Sequence, residues 1–254
     1  MLSTAESAYG RAIASHASSH PWSNGEFIVL GDTSESEDVE SRVSSDQARR
    51  ALNVAVAVIA LILSAPLMLV IALLVKLTSP GPVLYTQTRV GVDRRRDGSQ
   101  HWRRKIDYGG RLFTIYKFRT MYVAPEGQAA QVWATAGDPR ITPVGRVLRK
   151  LRLDELPQLV NVLKGDMNVV GPRPEQPRIF LSLREQIERY PERQQVLPGI
   201  TGWAQVNLNY DQDLDDVRRK LKYDLEYAAR QSALEDIRIL ARTVPVILFR
   251  RGAL

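Results

Sequence analysis

At 254 residues, with 44% hydrophobic and 25% charged side chains, the chain is long enough to bury a real core of one or two domains. It holds no cysteine, which excludes disulfides, thiolate metal sites and a cysteine nucleophile. Its net charge of +7 hides an asymmetry: residues 1–48 sum to −6 and the remainder to +13, so the body suits anionic partners such as phosphates or acidic lipid headgroups.

No helix-turn-helix, zinc-finger or aromatic RNA-binding signature points to nucleic acid. The three histidines (His16, His20, His101) lie outside the motif-dense region, so acid–base work falls to carboxylates, Lys or Tyr rather than to a Ser-His pair. No early apolar run marks a cleaved signal peptide.

In chain order, residues 1–48 are rich in Ser, Gly and acidic groups and read as a mostly disordered tail. Residues 51–75 then carry no charge at all, bounded by Arg49-Arg50 and Lys76. As a helix these 25 residues are about 37 Å long, against a hydrocarbon core of ~30 Å. Pro66 cannot donate to the Ile62 carbonyl, and both flanks are basic: Arg49 and Arg50 before, then Lys76, Arg94-Arg95-Arg96 and Arg103-Arg104-Lys105 after. A spanning helix should leave one flank poor in Lys and Arg. The pattern therefore predicts a re-entrant helix over 49–78 that breaks near Ser64–Pro66, with a kinked spanning helix as the alternative.

Ser79-Pro80-Gly81-Pro82 is a stiff turn. Two β-like runs follow, 83–90 and 112–121, separated by a polar, Arg-rich insertion at about 92–109. Helical patterns cover 143–151, 156–164, 179–190, 214–230 and 233–249. The last is amphipathic, and would lie either in the membrane interface or on the domain. The fold class is α+β: a membrane-associated, monotopic protein whose residues 79–254 form a mostly helical cytoplasmic domain with a small β element.

Chemistry concentrates in residues 138–175. Asp154 stands where a helix N-cap is expected, with Glu155 and Pro157 in the first turn, a place where the helix dipole favours anions. Adjacent helical residues point about 100° apart, so the two carboxylates can take different jobs. Arg146, Arg149, Lys150 and Arg152 surround them in sequence and set the pair apart from an ordinary acidic cap. In Gly171-Pro172-Arg173-Pro174 two prolines fix the backbone around Arg173, presenting a planar fork suited to phosphate. Alternation puts Lys117 and Arg119 on one strand face, either over a phosphate site or at a charged edge.

These segments occur together and in order: Ser79–Pro82, Gln87-x-Arg89-x-Gly91, Lys117-Phe118-Arg119-Thr120-Met121, Asp138-Pro139-Arg140, Asp154-Glu155-Leu156-Pro157-Gln158-Leu159, Asn161-Val162-Leu163-Lys164-Gly165-Asp166 and Gly171–Pro174. With Pro198-Gly199-Ile200-Thr201-Gly202-Trp203 and Tyr223-Asp224-Leu225-Glu226-Tyr227 downstream, the chain from about residue 50 on resembles the bacterial sugar transferase family of monotopic phosphoglycosyl transferases. The resemblance implies a bacterial inner-membrane enzyme of exopolysaccharide or glycoconjugate synthesis, working at the cytoplasmic face. Such an enzyme passes a sugar 1-phosphate from a UDP-sugar to polyprenyl (undecaprenyl) phosphate and releases UMP.

By the match, Asp154 is the nucleophile that forms an aspartyl-phosphosugar, and Glu155 is its partner carboxylate. The match implies Mg²⁺ at Asp154 and Glu155, with Glu155 near either that ion or the lipid phosphate. Lys117, Arg119, Arg146, Arg173 and Asp224 serve phosphate or substrate. The re-entrant helix broken at Ser64 and Pro66 is a family trait, and membrane lipids are implied partners. The insertion at 92–109, Asn168 and Arg152 depart from the family pattern. The sugar, and whether the chain forms a homo-oligomer, stay open.

A metal-dependent glycosyltransferase releasing UDP, with Asp211-Gln212-Asp213 as its metal motif, is the alternative enzyme. A membrane-tethered interaction protein without catalysis is the alternative class.

Overall fold

The computed structural model describes residues 33–94, 107–123, 138–208 and 213–248, the side chains of 33–44 and 247–248 excepted. The chain divides into two compact units, Met1–Glu40 and Ser41–Leu254. Helix α1 runs from Thr33 to Thr78. Residues 33–48, expected as tail, are therefore helical. Extending an existing helix fixes one residue per added hydrogen bond, far less costly than starting one, and Asp46 supports Arg49 one turn on at 3.9 Å.

The expected interruption at Ser64–Pro66 is absent from the helical assignment, which continues through Pro66. A proline deletes one rung of the ladder without demanding a non-helical backbone. Ser64 Oγ donates to the Ala60 carbonyl at 2.6 Å. The stretch Ser45–Thr78 is long and apolar enough to cross a membrane, and 11% of its most apolar window is buried.

Two stripes of α1 are buried, each at four-residue spacing: Arg49, Asn53 and Ala57 on one arm, then Ile71 and Val75 on the other, with Ser79 just past the helix end. Between them Ile62, Leu63 and Leu69 are exposed. The first arm is held by polar contacts. Arg50 donates to the carbonyls of Val162 (2.7 Å) and Leu163 (2.9 Å), and Asn53 accepts from Val169 N at 2.5 Å. Arg49 donates to Tyr227 Oη at 3.0 Å and pairs with Asp236 at 3.4 Å. Ala57 joins a core with Phe113, Ile115, Leu159, Val162 and Met167, while Ile71 and Val75 join one with Phe118 and Leu148. Leu156 packs against both cores.

Strands β1 (Leu84–Val90) and β2 (Leu112–Phe118) form an antiparallel pair in the register Gln87↔Ile115. β2 ends at Phe118, earlier than the 112–121 run. Asn161 completes its other edge as a strand neighbour would: its amide donates to Thr114 O (2.7 Å) and accepts from Tyr116 N (3.2 Å). Helix α2 (Pro143–Lys150) begins with proline at its first turn and a Thr142 cap that accepts from Gly145 N at 2.9 Å.

Leu153–Gln158 is a 3-10 helix, followed by α3 (Leu159–Lys164). Pro157 explains the tighter turn, because without an N–H it cannot bond the Leu153 carbonyl as an α-helix would require. α3 stops at Gly165, whose φ of 79° suits glycine.

A parallel pair unforeseen in the sequence, β3 (Asn168–Val170) with β4 (Gly199–Thr201), brackets α4 (Pro177–Gln186) and the 3-10 helix Tyr190–Gln195. Its strands approach so closely that a Cβ on Gly199 would meet Gly171 N at 2.1 Å. Helices α5 (Trp203–Asn207), α6 (Leu214–Arg230) and α7 (Ala233–Leu248) close the fold. The mostly helical architecture with a small β element and one long apolar helix fits a monotopic membrane protein. The middle of the Arg-rich insertion, residues 95–106, lies outside the described residues.

Candidate active site

Asp154 is not an N-cap. Arg152 takes that position with a left-handed backbone (φ 55°), and Asp154 is the second residue of the 3-10 helix. At three residues per turn, Asp154 and Glu155 project about 120° apart. Both are buried, at 8% and 7% exposure, yet their surroundings differ completely.

Glu155 is clamped. Lys117 Nζ lies 2.9 Å from its Oε1, and the Arg173 guanidinium takes both oxygens, Nη2 to Oε1 at 2.5 Å and Nη1 to Oε2 at 3.2 Å. Lys117 reaches inward because it shares a face of β2 with Phe113 and Ile115. Burial alone would raise the Glu155 carboxyl, but Arg173 and Lys117 override it and hold the group well below the usual range. Burial in turn lowers the Lys117 ammonium despite Glu155.

Among the described residues, no hydrogen bond or ion pair engages the Asp154 carboxylate. Burial and the neighbouring Glu155 charge push it up, against Lys117, Arg173 and Arg149. Arg149, half-buried in the last turn of α2, acts on Asp154 and on Asp138. It is the half-buried cation of α2, and its charge favours the ionised form of Asp154. Arg146, singled out in the sequence, is exposed on the outer side of that helix. One helical step decides this, and a single sequence does not reveal which step.

Arg119 is placed elsewhere as well. Beyond the end of β2 its guanidinium donates to Ser79 O (2.7 Å), Ser79 Oγ (2.8 Å) and the Pro80 carbonyl, tying the exit of α1 to the sheet. Asp138 folds back on Arg140, whose backbone N–H and guanidinium hold its carboxyl down at about 2.

Asp224, expected at the substrate, is buried in α6 and paired with Arg193, Nη2 to Oδ2 at 2.7 Å, at an angle that makes no hydrogen bond. Arg193 is 2% exposed and also bonds Tyr190 Oη at 2.7 Å. Glu175 joins this group through Lys220 (3.2 Å) and Arg193 (3.5 Å). Burial raises the Asp224 carboxyl against Arg193 and Lys220. Glu175 is pulled down to about 2 in spite of burial by Lys220, Arg193 and Arg89. Sequence reasoning missed Arg193, since one arginine in a polar run carries no signal of burial. Asp211 and Gln212 lie outside the described residues, and Asp213 caps α6 by accepting from Asp216 N at 2.8 Å.

The family model for bacterial sugar transferases matches residues 44–250. The chain belongs to that family. It is 45% identical over 205 residues to the UDP-N-acetylgalactosamine-undecaprenyl-phosphate N-acetylgalactosaminephosphotransferase of Aeromonas hydrophila, a match covering 81% of this chain and 44% of that protein. To the UDP-glucose:undecaprenyl-phosphate glucose-1-phosphate transferase of Escherichia coli (strain K12) it is 41% identical over 198 residues, covering 77% and 39%. The enzyme of the same description from Caulobacter vibrioides is 40% identical over 210 residues, covering 82% and 72%. The chain thus spans less than half the length of the first two relatives.

Proposed function

We propose that the protein transfers a sugar 1-phosphate from a UDP-sugar to undecaprenyl phosphate at the cytoplasmic face of the bacterial inner membrane, through a covalent aspartyl intermediate. The observation that carries this reading is the division between adjacent carboxylates: Glu155 is fixed by two cations, whereas Asp154 is buried with no hydrogen-bonding or ion-pair partner among the described residues. A desolvated, unpaired carboxylate is a stronger nucleophile than a solvated one. The named relatives act on UDP-sugars and undecaprenyl phosphate, which supports the choice of donor and acceptor.

In the first step an Asp154 oxygen attacks the sugar-bearing phosphorus. The bond from that phosphorus to the bridging oxygen breaks, and UMP leaves with the electron pair. In the second, an undecaprenyl phosphate oxygen attacks the same phosphorus and the carboxylate departs, giving undecaprenyl diphosphate sugar. Lys117, Arg173 and Arg149 lower the cost of bringing an anion to an anionic diphosphate.

Mg²⁺ fits the donor set, since it takes one or two carboxylates and leaves its other positions to water and substrate phosphate. Asp154 would hold it, with Glu155 behind. No cluster of three or more acidic or His ligands is needed, and none occurs among the described residues. Bound there, the ion would neutralise charge on the diphosphate.

The re-entrant reading of α1 is supported by the basic residues on both its flanks, Arg49 and Arg50 before the apolar run and Lys76 after it, and by Pro66 within it. The chain has no cysteine, so single Ser45→Cys and Thr78→Cys variants report topology cleanly. An impermeant thiol reagent should label both from the same side of the membrane; labelling from opposite sides sinks the re-entrant reading.

For the reaction, nanodisc-embedded protein is offered a panel of UDP-sugars with undecaprenyl phosphate. UMP and a lipid diphosphate sugar are expected from at least one donor. Release of UDP, or no product with any donor, overturns the proposal.

A further inference from the structure

The prolines of the 171–175 loop stiffen its backbone but also remove two of its N–H donors, so the loop must be held through its carbonyls. Four consecutive carbonyls are held. Gly199 N donates to Pro172 O at 2.9 Å and Val90 N to Glu175 O at 2.9 Å. Between them, Arg193 Nη2 donates to Arg173 O at 2.9 Å and Arg89 Nη1 to Pro174 O at 2.9 Å. Two arginines from different elements therefore grip the two successive peptide units that follow the Arg173 side chain.

Arg193 is in turn fixed by Asp224 (2.7 Å), Tyr190 Oη (2.7 Å) and Glu175 (3.5 Å). Burying a guanidinium is costly without such partners, and neither arginine touches Asp154 or Glu155. Arg193 instead bonds the backbone of the residue that clamps Glu155, and Arg89 that of the residue after it.

We infer that Arg193 and Arg89 are positioning residues that set the aim of the Arg173 fork on Glu155, and that Asp224 acts through Arg193 rather than on substrate. This rests on the phosphosugar-transfer reading for its kinetic test and is independent of it for its physical one. A fork must be held to within a fraction of an ångström to keep both bonds, so slack in the backbone is felt at the carboxylate.

The variant is Arg193→Lys, which keeps the charge beside Asp224 but has no planar fork to reach Tyr190, Asp224 and the Arg173 carbonyl together. Hydrogen exchange of the amides whose bonds hold this loop, Gly171 to Thr201 O, Val90 to Glu175 O and Gly199 to Pro172 O, should quicken by at least about tenfold while exchange in α6 and α7 stays put. Unchanged exchange at the loop overturns the inference whether or not any donor turns over, and equal acceleration throughout the domain does so too, since it shows only lost stability.

Kinetically, Arg193→Lys should lower kcat by about 10–100-fold, with the KM for donor within about twofold. In an Arg173→Gln background the same change should cost nothing further. Losses that multiply in the double variant would show that Arg193 acts by a route other than Arg173. A wild-type protein inert with every donor would refute the proposed reaction instead, leaving the exchange experiment to decide this one.

Discussion

Two buried clusters, each of two carboxylates and two cations, meet at residue 173. Behind it, Glu175 and Asp224 each have a cation within 3.5 Å, from Arg193 or Lys220. In front, Glu155 takes Lys117 and Arg173 for itself and Asp154 is left with neither. Burial is similar in both; the pairing differs. Where every carboxylate is matched, burial makes a scaffold, and where one is left over it leaves a carboxylate suited to the nucleophile proposed above. The cost of desolvating Asp154 is then carried by the rest of the fold.

The sharpest way to break this comparison is to make the same conservative change at both neighbours. Asp154→Asn should abolish UMP release, by at least about a thousandfold, and yet raise the thermal midpoint at neutral pH. Its folded-state carboxyl is pushed up, so ionised Asp154 opposes folding, and that penalty fades as the pH falls towards the unfolded value of about 3.9. Glu155→Gln should lower activity by about a hundredfold and also destabilise by roughly 3 kcal/mol, because it leaves two cations buried without a counter-charge. Shifts of the same sign in the two melts would remove the distinction between scaffold and reactive carboxylate.

A smaller effect tests the rear group. Glu175 titrates at about 2 in the fold against about 4.3 unfolded. Its contribution is therefore complete above about 4.3 and lost as the pH falls through 2, amounting to at most about 3 kcal/mol. Glu175→Gln should flatten the acid limb of the stability curve in that window, and an unaltered limb would count against the pairing. The smallest expected change is Arg119→Lys, about 1–2 kcal/mol from lost bonds to Ser79 and Pro80, with donor kinetics unmoved. A loss of kcat there would return Arg119 to the substrate side.

Much of this was legible in the residues. Leu84–Val90 and α6 fall where β-branched runs and helical spacing put them, and proline with Thr142 marks the start of α2. Of the site, Asp154, Glu155, Lys117 and Arg173 are brought together. What a single sequence hides is anything set by a turn's exact angle or by distant pairing. Pro157 tightens the turn at Asp154 and moves it off the cap, Arg149 rather than Arg146 faces inward, and three-residue strands such as Asn168–Val170 and Gly199–Thr201 are too short to show a period. Arg193 is invisible for a related reason, because its partners lie 3, 18, 20 and 31 positions away.

The apolar helix contributes Ala57, Ile71 and Val75 to the cores that also contain the sheet and Leu148, and Arg50 closes the end of α3. It is not a detachable anchor. Deleting residues before Ser79 to obtain a water-soluble enzyme would remove walls from two cores and uncap α3. The apolar helix and the domain it packs on are one folding unit, and any preparation of the protein has to keep both.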